Sequence, residues 1–517
     1  MIEIAYLAML SYPILVVVLF SRFDVQYAIA WSIMFGMLFL PQGLGFNPPL
    51  LPKLDRTSMP AFCVLALAVV TIRGRGWSRA DGQERFLTTW VPKDWMVRAL
   101  LVSMIAVIPL LTFITNRDPI PAPASIRGLS VKDLGAMVYG ALTTVVLVTV
   151  GRRFLSDERG QQILLIVLAL GGLIYAPLVM LEWRLSPQLH NWIYGHVVFE
   201  WQMTRRWDGW RPVVFFKNGL AMSIFMVTAF IASIAAVRYF SADRKIIWRF
   251  GSGVLFVTVL LLNSLSAWAV AVVFASVIAF FNRRLQLLVA GATAVMVLIY
   301  PLTQISGMFP NNTVVGMAAM LDEGRAGSLQ YRLDHEAIIM EKANERPIFG
   351  WGIWGRGRVY NEEGSKISTT DSMWILEYSE FGIIGYVIIF GLICFPVLYI
   401  FVHRRRLNPN YVTIGLCLVC CGLMVDQMIN ATMNSYGWIA AGSLLGWAER
   451  RRVAAAAMQA QGALDVRAAA GDRSGGSLAT NRALAAGARQ RLAGTRGTSA
   501  LQLKRGGDVQ LEPIDQR

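Results

Sequence analysis

Arg332, His335 and Glu336 stand at i, i+3 and i+4, so one helix face would carry a fixed cation beside two proton-exchanging groups. The same spacing also makes an ordinary solvated Arg–Glu pair. Asp371 lies in Ser368-Thr369-Thr370-Asp371-Ser372-Met373-Trp374, where a carboxylate can act on a substrate or simply cap the helix that follows. Arg211 opens the run Arg211-Pro212-Val213-Val214-Phe215-Phe216-Lys217-Asn218-Gly219. A cation there, with Lys217 and Asn218 one to two turns into an apolar block, is costly in lipid and points to a bundle interior or a wet cavity. Snorkelling explains Arg211 better than it explains the deeper Lys217. Asp426, Asn430 and Asn434 recur every four residues and read as one polar stripe making interhelical hydrogen bonds.

Other motifs exclude more than they offer. Gly350-Trp351-Gly352-Ile353-Trp354-Gly355 matches G-x-G-x-x-G, but Pro347 precedes it where a dinucleotide site needs a strand. No P-loop or zinc motif is present, and neither a cofactor nor a metal is implied. Cys417 and Cys420 spell C-x-x-C inside an apolar block; without partner ligands they read as small packing residues. Cys63, Cys394 and Cys421 are also in apolar blocks, which implies no disulfide framework.

The elements that must position these residues are membrane helices. The 517 residues are 55% hydrophobic and only 15% charged, below the roughly 25% usual for soluble domains. Long uncharged blocks reach the ~20 residues needed to cross a hydrocarbon core, and they do not alternate as barrel strands would. The expected class is all-α and polytopic, with 12–13 spans. They fall near 4–20, 26–44, 58–72, 95–115, 131–150, 162–182, 212–237, 250–264, 266–281, 285–302, 378–402, 411–429 and 434–449. A re-entrant first segment gives the lower number. With this count the dense basic clusters, including Arg152-Arg153, Arg283-Arg284, Arg404–Arg406 and Arg450–Arg452, all fall on one side. That asymmetry marks the cytoplasmic face and accounts for the net charge of +16 without a nucleic-acid partner. Glu3 and the lack of a basic residue before the first apolar run argue against a cleaved signal peptide. The opposite face receives 116–130, the Trp- and Arg-rich 183–211, and a large loop at 303–377, in which 328–344 reads as a helix broken at Arg346-Pro347. Three regions result: N-terminal helices over 1–182, a functional membrane region over 183–450, and a basic tail over 451–517. The tail has 11 Lys/Arg against 5 Asp/Glu and too little apolar surface to fold alone, so it is expected to be mostly disordered and cytoplasmic.

Three patches over roughly 180–400 resemble the O-antigen ligase and polymerase superfamily of bacterial membrane glycosyltransferases. Arg211 through Ala221 is similar to that family's R-x-x-G-x-F-x-N-x-N-x-L-A. Tyr331-Arg332-Leu333, followed by Pro347-Ile348-Phe349-Gly350-Trp351-Gly352, is similar to its Arg and P-L-F-G-x-G. Glu380-Phe381-Gly382-Ile383-Ile384-Gly385 is similar to E-x-G-(L/I)-x-G. The family's histidine before that last patch is replaced by Thr370-Asp371, and its Ser-Arg pair reads Asn263-Ser264-Leu265-Ser266-Ala267. The first departure favours glycan polymerisation over ligation onto lipid A.

The resemblance implies a multi-pass protein of the bacterial inner membrane with a periplasmic loop. Its donor would be an undecaprenyl-diphosphate-linked glycan, and flippase and chain-length regulator proteins would be partners beside the bilayer itself. Arg211 and Arg332 would face the leaving diphosphate, with Lys217, Asn218 or Arg358 in support. Asp371, His335 or Glu336 would act on the acceptor hydroxyl. Trp192, Tyr194, Trp201, Trp207 and Trp210 would stack on sugars or form an interfacial aromatic belt. Polymerisation into exopolysaccharide or O-antigen is the leading expectation and ligation the second. A transporter is the third, though the internal repeats or paired broken helices that would mark one are not visible.

Overall fold

A computed structural model describes residues 2–46, 53–74, 89–121, 123–198, 200–206, 209–239, 242–320, 323–369 and 372–471. The described residues are about 75% helical, which places the chain in the all-α class. Among the described residues every expected span falls on a helix. The first group is α1 (Ile2–Arg22), α2 (Val25–Phe39), α3 (Ser58–Gly74), α4 (Trp95–Val102), α5 (Ile108–Thr115), α6 (Val131–Phe154), α7 (Glu158–Leu185) and the short α8 (Leu189–Tyr194). The second is α9 (Gly219–Tyr239), α10 (Ala242–Leu260), α11 (Leu265–Phe280), α12 (Arg283–Ile305), α13 (Asn311–Ala319) and α14 (Glu323–Asn344). The last is α15 (Met373–Val402), α16 (Arg404–Leu407), α17 (Tyr411–Gln427) and α18 (Ser435–Gly471). Among the described residues seven helical stretches are long and apolar enough to cross a membrane, α1 and the joined α4–α5 among them, and four shorter apolar helices accompany them. One π-turn, Ser103–Val107, joins α4 to α5. Two antiparallel pairs, β1 (Gly45–Phe46) with β2 (Leu54–Asp55) and β3 (Arg205–Arg206) with β4 (Gly209–Trp210), pin loops.

The chain divides into two compact units, residues 1–76 with 85–456 and residues 77–84 with 457–517. Of the second, only 457–471 is described, and it is helical. The expected tail is therefore helical over 451–471, an Ala-rich stretch with high intrinsic helix propensity. In the first unit α9 is the hub, packed by α7, α10, α11 and α17. It and α17 are apolar all round, as helices enclosed by other helices must be. α12 packs on α15 and α17, α14 on α13 and α15, and the α4–α5 helix on α15 and α6.

The basic ends of several helices meet. Arg152 pairs with Glu449 at 2.7 Å, Arg452 with Asp94 at 3.0 Å and Arg159 with Asp24 at 3.4 Å. Arg450 donates to Ser156 at 2.7 Å. The other end of α6 belongs to the loops. Ser130 caps it and Asp133 closes a capping box, while Arg356 donates from the large loop to the carbonyls of Arg127 at 2.7 Å and Asp118 at 2.9 Å.

Candidate functional site

Glu336 is the buried member of the α14 face. Ser372 is the N-cap residue of α15, yet its hydroxyl makes no cap bond. It donates instead to Glu336 Oε1 and lies 3.3 Å from the carbonyl of Ile429. Burial pushes the Glu336 carboxyl up to about 7, against the opposing pull of the Ser372 hydroxyl and the Arg332 charge. Near neutral pH this group can therefore both accept and release a proton.

Arg332, half-buried one turn away, donates from Nη1 to Asn430 Oδ1 at 3.2 Å. Asn430 Nδ2 in turn donates to Asp426 Oδ1 at 2.7 Å, and Asp426 also accepts from the Thr432 hydroxyl. A carboxylate can only accept, so Asp426 fixes which way the Asn430 amide points and hence where the guanidinium is held. His335 is partly engaged elsewhere: its Nδ1 lies 3.4 Å from the Thr369 N–H, and its ring stands against Tyr331 at 4.1 Å between centroids.

The polar stripe differs from expectation because α17 ends at Gln427. Asn430 and Asn434 are therefore off that helix. Asp426 and Asn430 do bond, but Asn434 caps α18, accepting the Gly437 N–H at 2.9 Å.

Arg211 occupies a second station. The span expected from 212 becomes helical only at Gly219, since Pro212 through Asn218 form an irregular segment. Its anchor is Glu182, a buried carboxylate of α7 that accepts the N–H groups of Leu189, Val213 and Val214 at 3.0, 2.8 and 2.7 Å. Val214 is held at φ 53°, rare for a β-branched residue. Arg56 clamps the same segment from below through the Phe215 carbonyl and lies over the Phe216 ring at 5.5 Å. The Arg211 stem lies over Gly219, where a Cβ would meet its Cδ at 2.4 Å, and Nη2 donates to the Asn263 carbonyl at 3.1 Å. Asn263, in the turn between α10 and α11, is itself at φ 51°. Lys217 is exposed on this segment, not inside a helix, and Asn218 caps α9 by accepting the Ala221 N–H at 2.9 Å.

The other expected residues are dispersed. Arg358 follows the glycine-rich turn and exerts its charge on Glu380 of α15. Trp210 packs on Trp201 at 5.2 Å with Arg205 over its ring at 6.0 Å, whereas Tyr194 is buried and Trp192 is half-exposed. Asp371 and Trp207 lie outside the described residues. Glu182 and Ser372 were not singled out from sequence. Glu182 had a signal, being an acid at the end of an apolar helix.

Two motifs that are separate in sequence form one structure. The N–H groups of Trp351 and Gly352 donate to the carbonyls of Ser379 and Glu380, both at 2.8 Å, and Ile383 N–H donates to Pro347 at 2.8 Å. α15 kinks at Gly382, φ 69°, where a Cβ would lie 2.2 Å from the Ile348 carbonyl oxygen. Gly350, at φ 66°, would meet the Glu380 backbone at 2.5 Å. These glycines allow two backbones to touch. Arg346 ties the same turn to Asn116 at 2.7 Å, and Asn116 donates to the Gly350 carbonyl at 3.2 Å.

No curated protein matches the chain. The family model described as O-Antigen ligase matches residues 250–390, from α10 into α15. The match takes in Arg332, Glu336, Ser372 and the interlocked glycine turns, and leaves Arg211 and Asn430 outside it. With its polytopic α-helical fold, the match over residues 250–390 makes the chain similar to the O-antigen ligase and polymerase superfamily in that region.

Proposed function

We propose that the chain polymerises undecaprenyl-diphosphate-linked oligosaccharide repeats into exopolysaccharide or O-antigen at the periplasmic face of a bacterial inner membrane. The observation that carries this reading is the buried Glu336–Ser372 pair beside an arginine aimed by Asn430, inside an O-antigen ligase domain. In the reaction, an acceptor sugar hydroxyl attacks the anomeric carbon of the donor glycan. The bond from that carbon to the diphosphate oxygen breaks, and the diphosphate departs with the electron pair. The hydroxyl proton passes to Glu336, while Arg332 and Arg211 stabilise the charge growing on the leaving group. Lys217, exposed on the Arg211 segment, adds positive charge along the approach. Arg358 serves the interlocked turn through Glu380.

Ligation of a finished glycan onto lipid A or another acceptor uses the same chemistry, and the matched family supports both readings alike. The two separate in a deletion strain by the size of glycan left on the lipid carrier. Single stranded repeats mean polymerase, and full-length polymer means ligase. An unchanged profile in a strain with no redundant homologue refutes both.

A further inference from the structure

A cavity of about 480 Å³ opens between the α4–α5 helix, α6 and α15, away from the Glu336 cluster. Five residues separate Ser372 from Glu377, about 140° around a helix axis, so the cavity and Glu336 lie on different sides of α15. Its rim is Trp354, 62% exposed and held at φ 66° between Gly352 and Gly355, both also at positive φ. A bulky residue in that region is strained and persists only where its surroundings over-determine it. Here they do. Indole Nε1 donates to Asp133 Oδ1 at 2.8 Å, and Asp133 is gripped by Arg127 at 2.6 Å and by the Ser130 hydroxyl at 2.7 Å. The indole nitrogen is thus fixed while the ring stays open to solvent.

Below the rim the wall holds Glu377, whose buried Oε2 has no hydrogen-bond partner. Leaving a buried polar atom unpaired is costly and calls for an explanation. Deeper still the lining is largely apolar, with Met104 on the π-turn and Ile389 of α15 beyond the Gly382 kink. π-turns inside helices concentrate at functional positions. Among the described residues no lysine or arginine lines the cavity.

We propose that this cavity binds an uncharged, sugar-headed membrane lipid, with a sugar ring on Trp354, one of its hydroxyls donating to Glu377 Oε2, and the hydrocarbon chain between the helices. The aromatic face suits a sugar ring, the carboxyl accepts from a hydroxyl, and the absence of a basic side chain from the lining disfavours a phosphate head group. This binding does not rest on the transferase reading.

The test is equilibrium binding of radiolabelled dodecyl maltoside, at trace level, to the full chain in phosphatidylcholine nanodiscs. Saturable binding is expected, weakened about tenfold by Trp354→Ala and by Glu377→Leu. Gly140→Leu should abolish it. Gly140 lines the cavity and a Cβ there meets nothing within 4 Å, so the new side chain starts in open space on the cavity wall and keeps the test valid if Trp354→Ala fails to fold. Arg332→Ala should bind as the native chain does even if transfer is lost, which separates failure of this proposal from failure of the transferase reading. Unsaturable binding, native binding by Gly140→Leu, or equal displacement by dodecylphosphocholine would each overturn it.

Discussion

Glu336→Gln is the most informative single substitution, because the position affects both rate and stability. With its carboxyl pushed up to about 7 by burial, Glu336 is about one-tenth ionised at pH 6 and about nine-tenths at pH 8. If the carboxylate takes the acceptor proton, transfer should rise about ninefold over that interval. Glu336→Gln should remove this limb and lower the rate by about 10²–10⁴. Stability should move the other way. The folded state holds its proton from the ordinary carboxyl value of 4.5 up to about 7, while the unfolded chain has already released it. Stability therefore falls as pH rises through that window, by about 3 kcal/mol once above it. Glu336→Gln cannot ionise, so its thermal midpoint in detergent should be nearly flat from pH 5 to 8 while the native midpoint drops. A substituted protein that retains both the native rate and the native pH limb would refute the assignment of Glu336 as base.

Other substitutions probe the frame around it. Arg332→Ala and Arg211→Ala should each lower transfer by about 10²–10³ while leaving insertion and thermal midpoint near native; normal glycan from both would remove them from the site. Asn430→Ala should reduce kcat more than it raises KM, because it releases Arg332 without touching substrate, and Asn430→Gln should restore part of the loss. Gly382→Ala combines a left-handed φ with a carbonyl 2.2 Å away, so it should cost about 2–4 kcal/mol, visible as a lowered unfolding midpoint. Glu182→Gln turns an amide toward three backbone N–H groups and should destabilise by about 2–4 kcal/mol, with protease sensitivity appearing first between 211 and 218.

The span pattern was legible because burial in lipid demands long uncharged runs, and those runs need no tertiary information. The helix over 328–344 and its end before Pro347 were legible for similar local reasons. What failed to read depended on distant partners. Span seven begins at Gly219 instead of 212 because Glu182, some thirty residues upstream, satisfies the backbone that a helix would otherwise satisfy. The Asp426–Asn430–Asn434 stripe assumed a helix continuing past Gln427. In fact the chain turns there, which frees Asn430 to orient Arg332. Arg332 and Glu336 were visible as a face, but the burial that separates a reactive carboxyl from a solvated one comes from Ser372 and α15 closing over it. The two glycine motifs read as separate signatures, although their residues exist to touch each other.

The most direct test of the central claim is the reaction itself, with purified chain in proteoliposomes and a single lipid-linked oligosaccharide repeat as both donor and acceptor. A ladder spaced by one repeat, with one undecaprenyl diphosphate released per bond formed and no ladder from Arg332→Ala, is the predicted result. Absence of any ladder and of released carrier from folded native chain, under conditions where the lipid-linked repeat is accessible, would contradict it.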